Sequence, residues 1–298
     1  MPRRFTDTSL RFPSVKHMKL PFHNIAIVGV GLIGGSLGLA IKKRSPGTQI
    51  MGVGRNQNRL EMALRLGAID DFRIDFDLGL KDQDLVVLAT PVEHILDTLP
   101  SLGKNLTSGA IVTDVGSTKR AICKKAWESL PSHAEFIGGH PVAGRETVGV
   151  ENSDADLFLN APYVICPRPE SESKNVEHLR LLAEAIGAQP MTMSAEEHDV
   201  AMSYVSHLPQ ILSTALASLS VPEHVAISGS GFRDMIRLAG SPYSIWESIL
   251  STNRENIDKA LETFIERLRT MRSALKDKGL AEEFLSAANT FRMVHKRR

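Results

Sequence analysis

Three glycines, Gly29, Gly31 and Gly34, stand at the G-x-G-x-x-G spacing that lets a backbone close around a pyrophosphate. Gly29 permits the turn, Gly31 brings the backbone up to the phosphates, and Gly34 lets the following helix pack against the preceding strand. Leu32 and Ile33 lie inside the same turn and count with it as cofactor-binding positions. The unpaired N–H groups and positive dipole end of a helix starting here favour an anion. About 20 residues further on, many NAD-binding folds carry an acid for the ribose 2′-hydroxyl. This chain has Gly54-Arg55-Asn56 there, with Arg59 one helical turn later. A guanidinium suits a 2′-phosphate, so NADP is favoured and NAD is the alternative.

A second set of residues has catalytic potential. His140 sits in Gly138-Gly139-His140-Pro141-Val142-Ala143-Gly144, predicted as a glycine-walled loop where backbone and a ligand both come close. Thr90, Pro91 and Ser117 follow directly on apolar strand patterns, at the strand ends where α/β sheets bind ligands. The two cysteines, Cys123 and Cys166, show no metal or redox spacing and read as structural thiols of a reducing cytoplasm. No cluster suggests a metal. A net charge of +1 offers nothing to nucleic acid or to a membrane surface, and no apolar run approaches the ~20 residues that cross a bilayer.

The elements that must position these residues follow from periodicity. The strand patterns 25–28, 49–53, 84–89 and 110–114 alternate with helical patterns, as in a parallel doubly wound sheet of Rossmann type. Further strands are expected near Ile69 to Phe72, Tyr163 to Cys166 and Pro190 to Met193, and a helix over Val176 to Ile186. From Ser194 the pattern is almost wholly helical, opening with the capping box Ser194-Ala195-Glu196-Glu197. Val205, Leu208, Leu212, Leu216 and Leu219 recur at helical spacing, and Pro209 inside that helix predicts a kink beside His207. A last long helix is expected to carry Leu250, Ile257, Leu261, Phe264, Leu268, Met271 and Leu275 as a stripe, either bundle core or the seam of a homodimer. The expected division is a basic disordered extension over 1–22, a dinucleotide-binding domain over 23–193 and an all-α dimerisation domain over 194–298. Within the extension Arg3, Arg4, Arg11, Lys16 and Lys19 face one acid, Asp7, and Met18 is an alternative start.

The glycine turn, Thr113-Asp114-Val115-Gly116-Ser117-Thr118-Lys119 and the Gly138 to Gly144 segment are followed by His198-Asp199, Ser206-His207-Leu208-Pro209 and Gly231-Phe232-Arg233-Asp234-Met235-Ile236-Arg237. In this order, over about residues 23–280, the chain resembles the prephenate and arogenate dehydrogenases of tyrosine biosynthesis. The resemblance implies oxidation and decarboxylation of a cyclohexadienol that bears a ring carboxylate. It makes His140 the base on the ring hydroxyl and Ser117 the hydrogen-bond partner that orients both. Arg237 is then the cation for a substrate carboxylate, with Arg233 second. His207 and Asp199 belong to the cleft network, and Glu146 stands at the cleft mouth. Gln210 replaces a second histidine, as H-L-P-H, found in some members, and with it that histidine's share in substrate discrimination. Prephenate is the expected substrate and arogenate the alternative, with neither a regulatory ACT domain nor a fused chorismate mutase on the chain. The rivals are a β-hydroxyacid or imine reductase, which would use a lysine of the helical half, and a catalytically silent NADP-sensing regulator.

Overall fold

The computed structural model describes residues 19–74, 76–145, 147–275 and 280–295. Its contacts fall into two units, divided between His198 and Asp199.

The first unit is built on a strand buried on both faces, β1 (Asn24–Val28). Side chains alternate across a strand, so Ile25 and Ile27 enter one core while Ala26 and Val28 enter another. That double burial is why β1 reads as a continuous apolar run. The chain continues through α1 (Leu32–Arg44), β2 (Gln49–Val53), α2 (Gln57–Arg65), β3 (Asp71–Arg73), α3 (Phe76–Leu80) and β4 (Leu85–Leu88). It then forms α4 (Val92–Leu102), β5 (Ile111–Asp114), α5 (Arg120–Ser129) and the short β6 (Glu135–Phe136). All six strands are parallel, in the order β3-β2-β1-β4-β5-β6. The order reverses between β1 and β4, which makes the carboxyl ends of these two strands the switch point of the sheet.

Four expectations need correction. The core begins ahead of residue 23: Leu20 and Phe22 are each 3% exposed, and the Phe22 ring meets the His178 ring edge-on at 5.8 Å. The rest of the expected extension, residues 1–18, lies outside the described residues.

Second, His140 lies on a strand and not in a loop. β7 (Gly138–Pro141) pairs antiparallel with β8 (Pro162–Cys166), which pairs parallel with β9 (Gln189–Thr192) beyond α6 (Ser173–Ala185). These three strands form their own sheet, so the chain leaves the doubly wound sheet after β6. Close approach explains the glycines here. A Cβ on Gly139 would come within 2.8 Å of the Thr113 hydroxyl and 2.9 Å of the Tyr163 phenol.

The capping box is formed as read: the Ser194 hydroxyl accepts from the Glu197 amide at 3.1 Å, and the Glu197 carboxylate accepts from the Ser194 amide at 2.9 Å. It opens α7 (Ala195–Met202), after which the helices are α8 (Leu208–Ser218), α9 (Pro222–Ala226), α10 (Ser230–Ile236), α11 (Tyr243–Thr252), α12 (Arg254–Ala274) and α13 (Ala281–His295).

The third correction concerns the form of the kink. Ser203–His207 is one π-helical turn, set just before Pro209. A π turn takes up extra residues, so side chains before it are rotated relative to those after it. Leu208 is therefore 7% exposed while Val205 is 70% exposed, although both share one helical spacing in the sequence.

Fourth, the stripe from Leu250 to Leu275 is not on one helix. It breaks at Asn253, between α11 and α12. Ile257 and Ala260 are buried, whereas Leu268 and Leu275 are 49% and 67% exposed.

Candidate active site

At the switch point Gly29 has φ +92, a left-handed conformation suited to glycine, and its N–H donates to the Val53 carbonyl at 2.8 Å. A Cβ there would strike the Ala89 carbonyl and the Thr90 methyl. Gly31 is the N-cap of α1 and caps it with no side chain, and the first turn carries no acid. A Cβ on Gly31 would meet nothing within 4 Å, so the backbone is open on that side to the close approach of a ligand. Leu32 and Ile33 form the first turn, and Gly34 is buried within it. Pro91 is the N-cap residue of α4, directly after Thr90 at the end of β4. Arg55 is exposed beyond β2, as is Arg59. Asn56 has another job: its side chain accepts from the Arg59 amide at 3.1 Å and caps α2.

The catalytic candidates are gathered by one carboxylate. Asp114, the last residue of β5, is fully buried, and so is the Lys119 ammonium that pairs with it. One Asp114 oxygen also accepts from the Gly116 amide at 2.8 Å, and the other accepts from the Gly139 amide at 3.1 Å. Gly116 precedes Ser117 and Gly139 precedes His140, so a single side chain ties the half-buried serine's segment to the histidine's strand. Beneath Gly139 lies the buried Tyr163 phenol. Burial, then the Asp114 charge, push its ionisation well above the ordinary tyrosine range, against a smaller opposite effect of the Thr113 hydroxyl. The phenol is therefore uncharged.

His140 is 6% exposed, and its Nδ1 lies 2.8 Å from Nε2 of His198, with the rings edge to face at 5.0 Å. The sequence offered the His198-Asp199 motif without a role for its histidine. No spacing rule links residues 58 apart, and only the meeting of β7 with α7 reveals the pair. If Nδ1 of His140 carries the proton, it donates to His198, and Nε2 of His140 is left as the base.

In the second unit, Arg237 opens a 3-10 turn, Arg237–Gly240, directly after α10, and is exposed. Gln210 and Ser213 of α8 brace that turn: the Gln210 amide donates to the Leu238 carbonyl at 2.9 Å, and the Ser213 hydroxyl accepts from the Ala239 amide at 3.0 Å. Gln210, expected to touch substrate, thus commits its amide nitrogen to the backbone beside Arg237. Arg233 donates to the Ser228 carbonyl at 3.3 Å. His207 and Asp199 are fully buried, and both meet Asn253, a residue that helical periodicity gave no reason to single out. Glu146 lies outside the described residues.

A cavity of about 580 Å³ opens beside Trp127, Glu135 and Arg168 at the amino end of the edge strand β6, away from the switch point at the carboxyl ends of β1 and β4. Its Glu135 carboxylate is already bonded to the Glu172 amide and the Asn175 side chain, and we assign it no part in the chemistry. Among the described residues no helix is long and apolar enough to cross a membrane, and no group of three or more metal-ligating side chains gathers.

Residues 37–192 match the family model described as prephenate dehydrogenase, nucleotide-binding domain, and residues 194–289 match prephenate dehydrogenase, dimerization domain. A prephenate dehydrogenase of Bacillus subtilis is 38% identical in an alignment 252 residues long that covers 82% of this chain and 67% of the relative. The crystal structure of prephenate dehydrogenase from A. aeolicus, in complex with hydroxyphenyl propionate and NAD+, aligns with a TM-score of 0.84 at 30% identity. That alignment covers 93% of this chain and 99% of the other. An arogenate dehydrogenase from Synechocystis aligns with a TM-score of 0.78 at 31% identity, covering 91% of this chain and 99% of that one.

Proposed function

Because the chain belongs to the prephenate dehydrogenase family, and is an oxidoreductase of that family, we propose that it catalyses the NADP-dependent oxidative decarboxylation of prephenate to 4-hydroxyphenylpyruvate. The observation that carries this reading is the His140–His198 pair, held one residue from the amide that Asp114 binds. His140 Nε2 takes the proton of the ring hydroxyl, and its Nδ1–H, donated to His198, keeps the base in the required tautomer. Ser117 hydrogen-bonds the same hydroxyl. Arg237 holds a substrate carboxylate with its planar fork. Loss of carbon dioxide then leaves an aromatic ring, which makes the step irreversible.

The turn from Gly29 to Gly34 would hold the pyrophosphate of a nicotinamide nucleotide, Arg55 with Arg59 its 2′-phosphate, and Thr90 and Pro91 would flank it at the end of β4. Bound there, the nucleotide supplies the hydride acceptor. Two exposed guanidiniums at the end of β2 support NADP over NAD. Arogenate is the second reading, supported by the similar likeness to the Synechocystis enzyme. The same reading makes the protein a cytoplasmic homodimer, with Cys123 and Cys166 as buried thiols. A four-way comparison of kcat/KM, prephenate or arogenate with NAD or NADP, tests it. The prephenate and NADP pair should be fastest; turnover of neither substrate would overturn the function.

A further inference from the structure

Asn253 is the single residue between α11 and α12, and it is 3% exposed. Its backbone, at φ −115 and ψ 20, leaves the helix and turns the side chain inward. The amide nitrogen lies 2.8 Å from the Asp199 carbonyl oxygen. A carbonyl only accepts, so this contact by itself identifies which end of the amide is nitrogen. With the nitrogen so placed, Asn253 Oδ1 is left to accept from the side-chain amide of Asn256 at 2.8 Å. The same Asn253 nitrogen lies 3.1 Å from Nδ1 of His207. An amide nitrogen has two hydrogens and no lone pair to offer. One hydrogen goes to Asp199, and the other meets Nδ1, which must accept it. A proton on Nδ1 would set N–H against N–H.

We propose that Asn253 is a positioning residue that holds His207 as its Nε2–H tautomer, so that His207 meets substrate as a hydrogen-bond donor. The ring is fully buried in the last place of the π turn, and Trp246 stands edge-on to it at 6.0 Å. A donor fixed in this way takes a carboxylate or ketone oxygen and rejects an ammonium, since an ammonium offers only N–H. The substrate group at His207 is therefore an oxygen acceptor. This consequence rests on the reading of His207 as a cleft residue of the proposed dehydrogenase, whereas the tautomer rests on the Asn253 contacts alone.

The test uses the full chain with 15N-labelled histidine, whose long-range proton–nitrogen correlations report which ring nitrogen is protonated. The His207 signals are identified by their loss in His207→Gln. The wild-type protein should show His207 protonated at Nε2; protonation at Nδ1, or an even mixture, overturns the proposal without any further variant. Asn253→Asp replaces the donor by an acceptor and should move the proton to Nδ1. With that switch the KM for prephenate should rise about ten-fold or more, while kcat and the KM for the nucleotide stay within about three-fold. A switched tautomer with unchanged KM overturns the donor role. If Asn253→Asp fails to fold, Asn253→Ala should leave a mixed tautomer, and an unmixed Nε2–H in that variant overturns the role of Asn253. Should the wild-type enzyme turn over neither prephenate nor arogenate, the functional reading falls, and the spectrum recorded without substrate still decides the tautomer.

Discussion

At His140 the proposed chemistry depends on which ring nitrogen carries the proton, and a proton on Nδ1 has an acceptor in His198 Nε2 at 2.8 Å. His140→Asn should lower kcat by about 10²–10⁴, the usual contribution of a positioned general base, with little change in the KM for the nucleotide. Steady-state turnover near the wild-type level would remove His140 from the mechanism. Lys119 poses a different question, because a fully buried ammonium needs a counter-charge and Asp114 supplies one. Lys119→Met leaves that carboxylate buried with its Gly116 and Gly139 amides but without its counter-charge. Removing one partner of a buried pair costs about 3–5 kcal/mol, so thermal unfolding should shift down by roughly 10 °C. A melting temperature within a degree or two of wild type would show that the pair is dispensable.

Among the elements, α1 follows the Gly29–Gly34 turn proposed to hold the pyrophosphate and must be kept against the sheet. The segment after Gly149 crosses it: the Asp154 amide donates to the Ser36 hydroxyl at 2.9 Å, and Asp156 pairs with Lys43 at 2.6 Å and Arg44 at 3.1 Å. The backbone amide of Asp156, then Arg145, lower the Asp154 ionisation below the ordinary 3.8; for Asp156 the hydrogen bond from Lys43 leads. A carboxyl whose folded-state pKa is lowered adds stability that is complete above its unfolded value and is lost as pH falls through the folded one. Stability should thus hold down to about pH 4 and decline below it, and Asp156→Asn should make that decline shallower in acid titrations followed by circular dichroism. An unchanged acid limb would exclude this contribution. At the end of β2, Arg55 is exposed where an acid would select NAD. Arg55→Asp should reverse an NADP preference in kcat/KM; a wild-type enzyme that prefers NAD would contradict that reading of the turn.

At the scale of the molecule, the apolar side chains left in water need an explanation. Leu268 of α12 and Leu275 directly after it are about half or more exposed, as are Phe284, Leu285 and Phe291 of α13. Exposed aromatic and aliphatic groups on neighbouring helices mark an association surface. Residues 194–289 match a dimerization domain, so the expected occupant is a second copy of the chain. Light scattering should give about 65 kDa, twice the 32.6 kDa chain. Leu268→Glu combined with Phe284→Glu should yield monomers or insoluble protein, since unpaired charge in a buried seam is costly. A wild-type monomer at micromolar concentration would leave both helices without the proposed role.

The amino-acid sequence by itself determined what depends on near neighbours. The G-x-G-x-x-G turn, the apolar strand runs, the Ser194–Glu197 capping box and the distortion ahead of Pro209 each involve residues a few positions apart, and each is legible from side-chain size, backbone freedom and local hydrogen bonds. The same local view lists His140, Ser117 and Arg237 as candidates but says little about what holds them. Tertiary structure decided the rest. It put His140 on a strand of a second sheet, because only Gly139 lets that strand pass over the end of β5. It joined His140 to His198, gave the Asp114 carboxylate to two separate segments, committed Gln210 to the Leu238 carbonyl and ended α11 at Asn253. These are hydrogen bonds between groups brought together by burial. A buried donor or acceptor must find a partner wherever packing supplies one, and packing is a property of the folded chain rather than of any stretch of it.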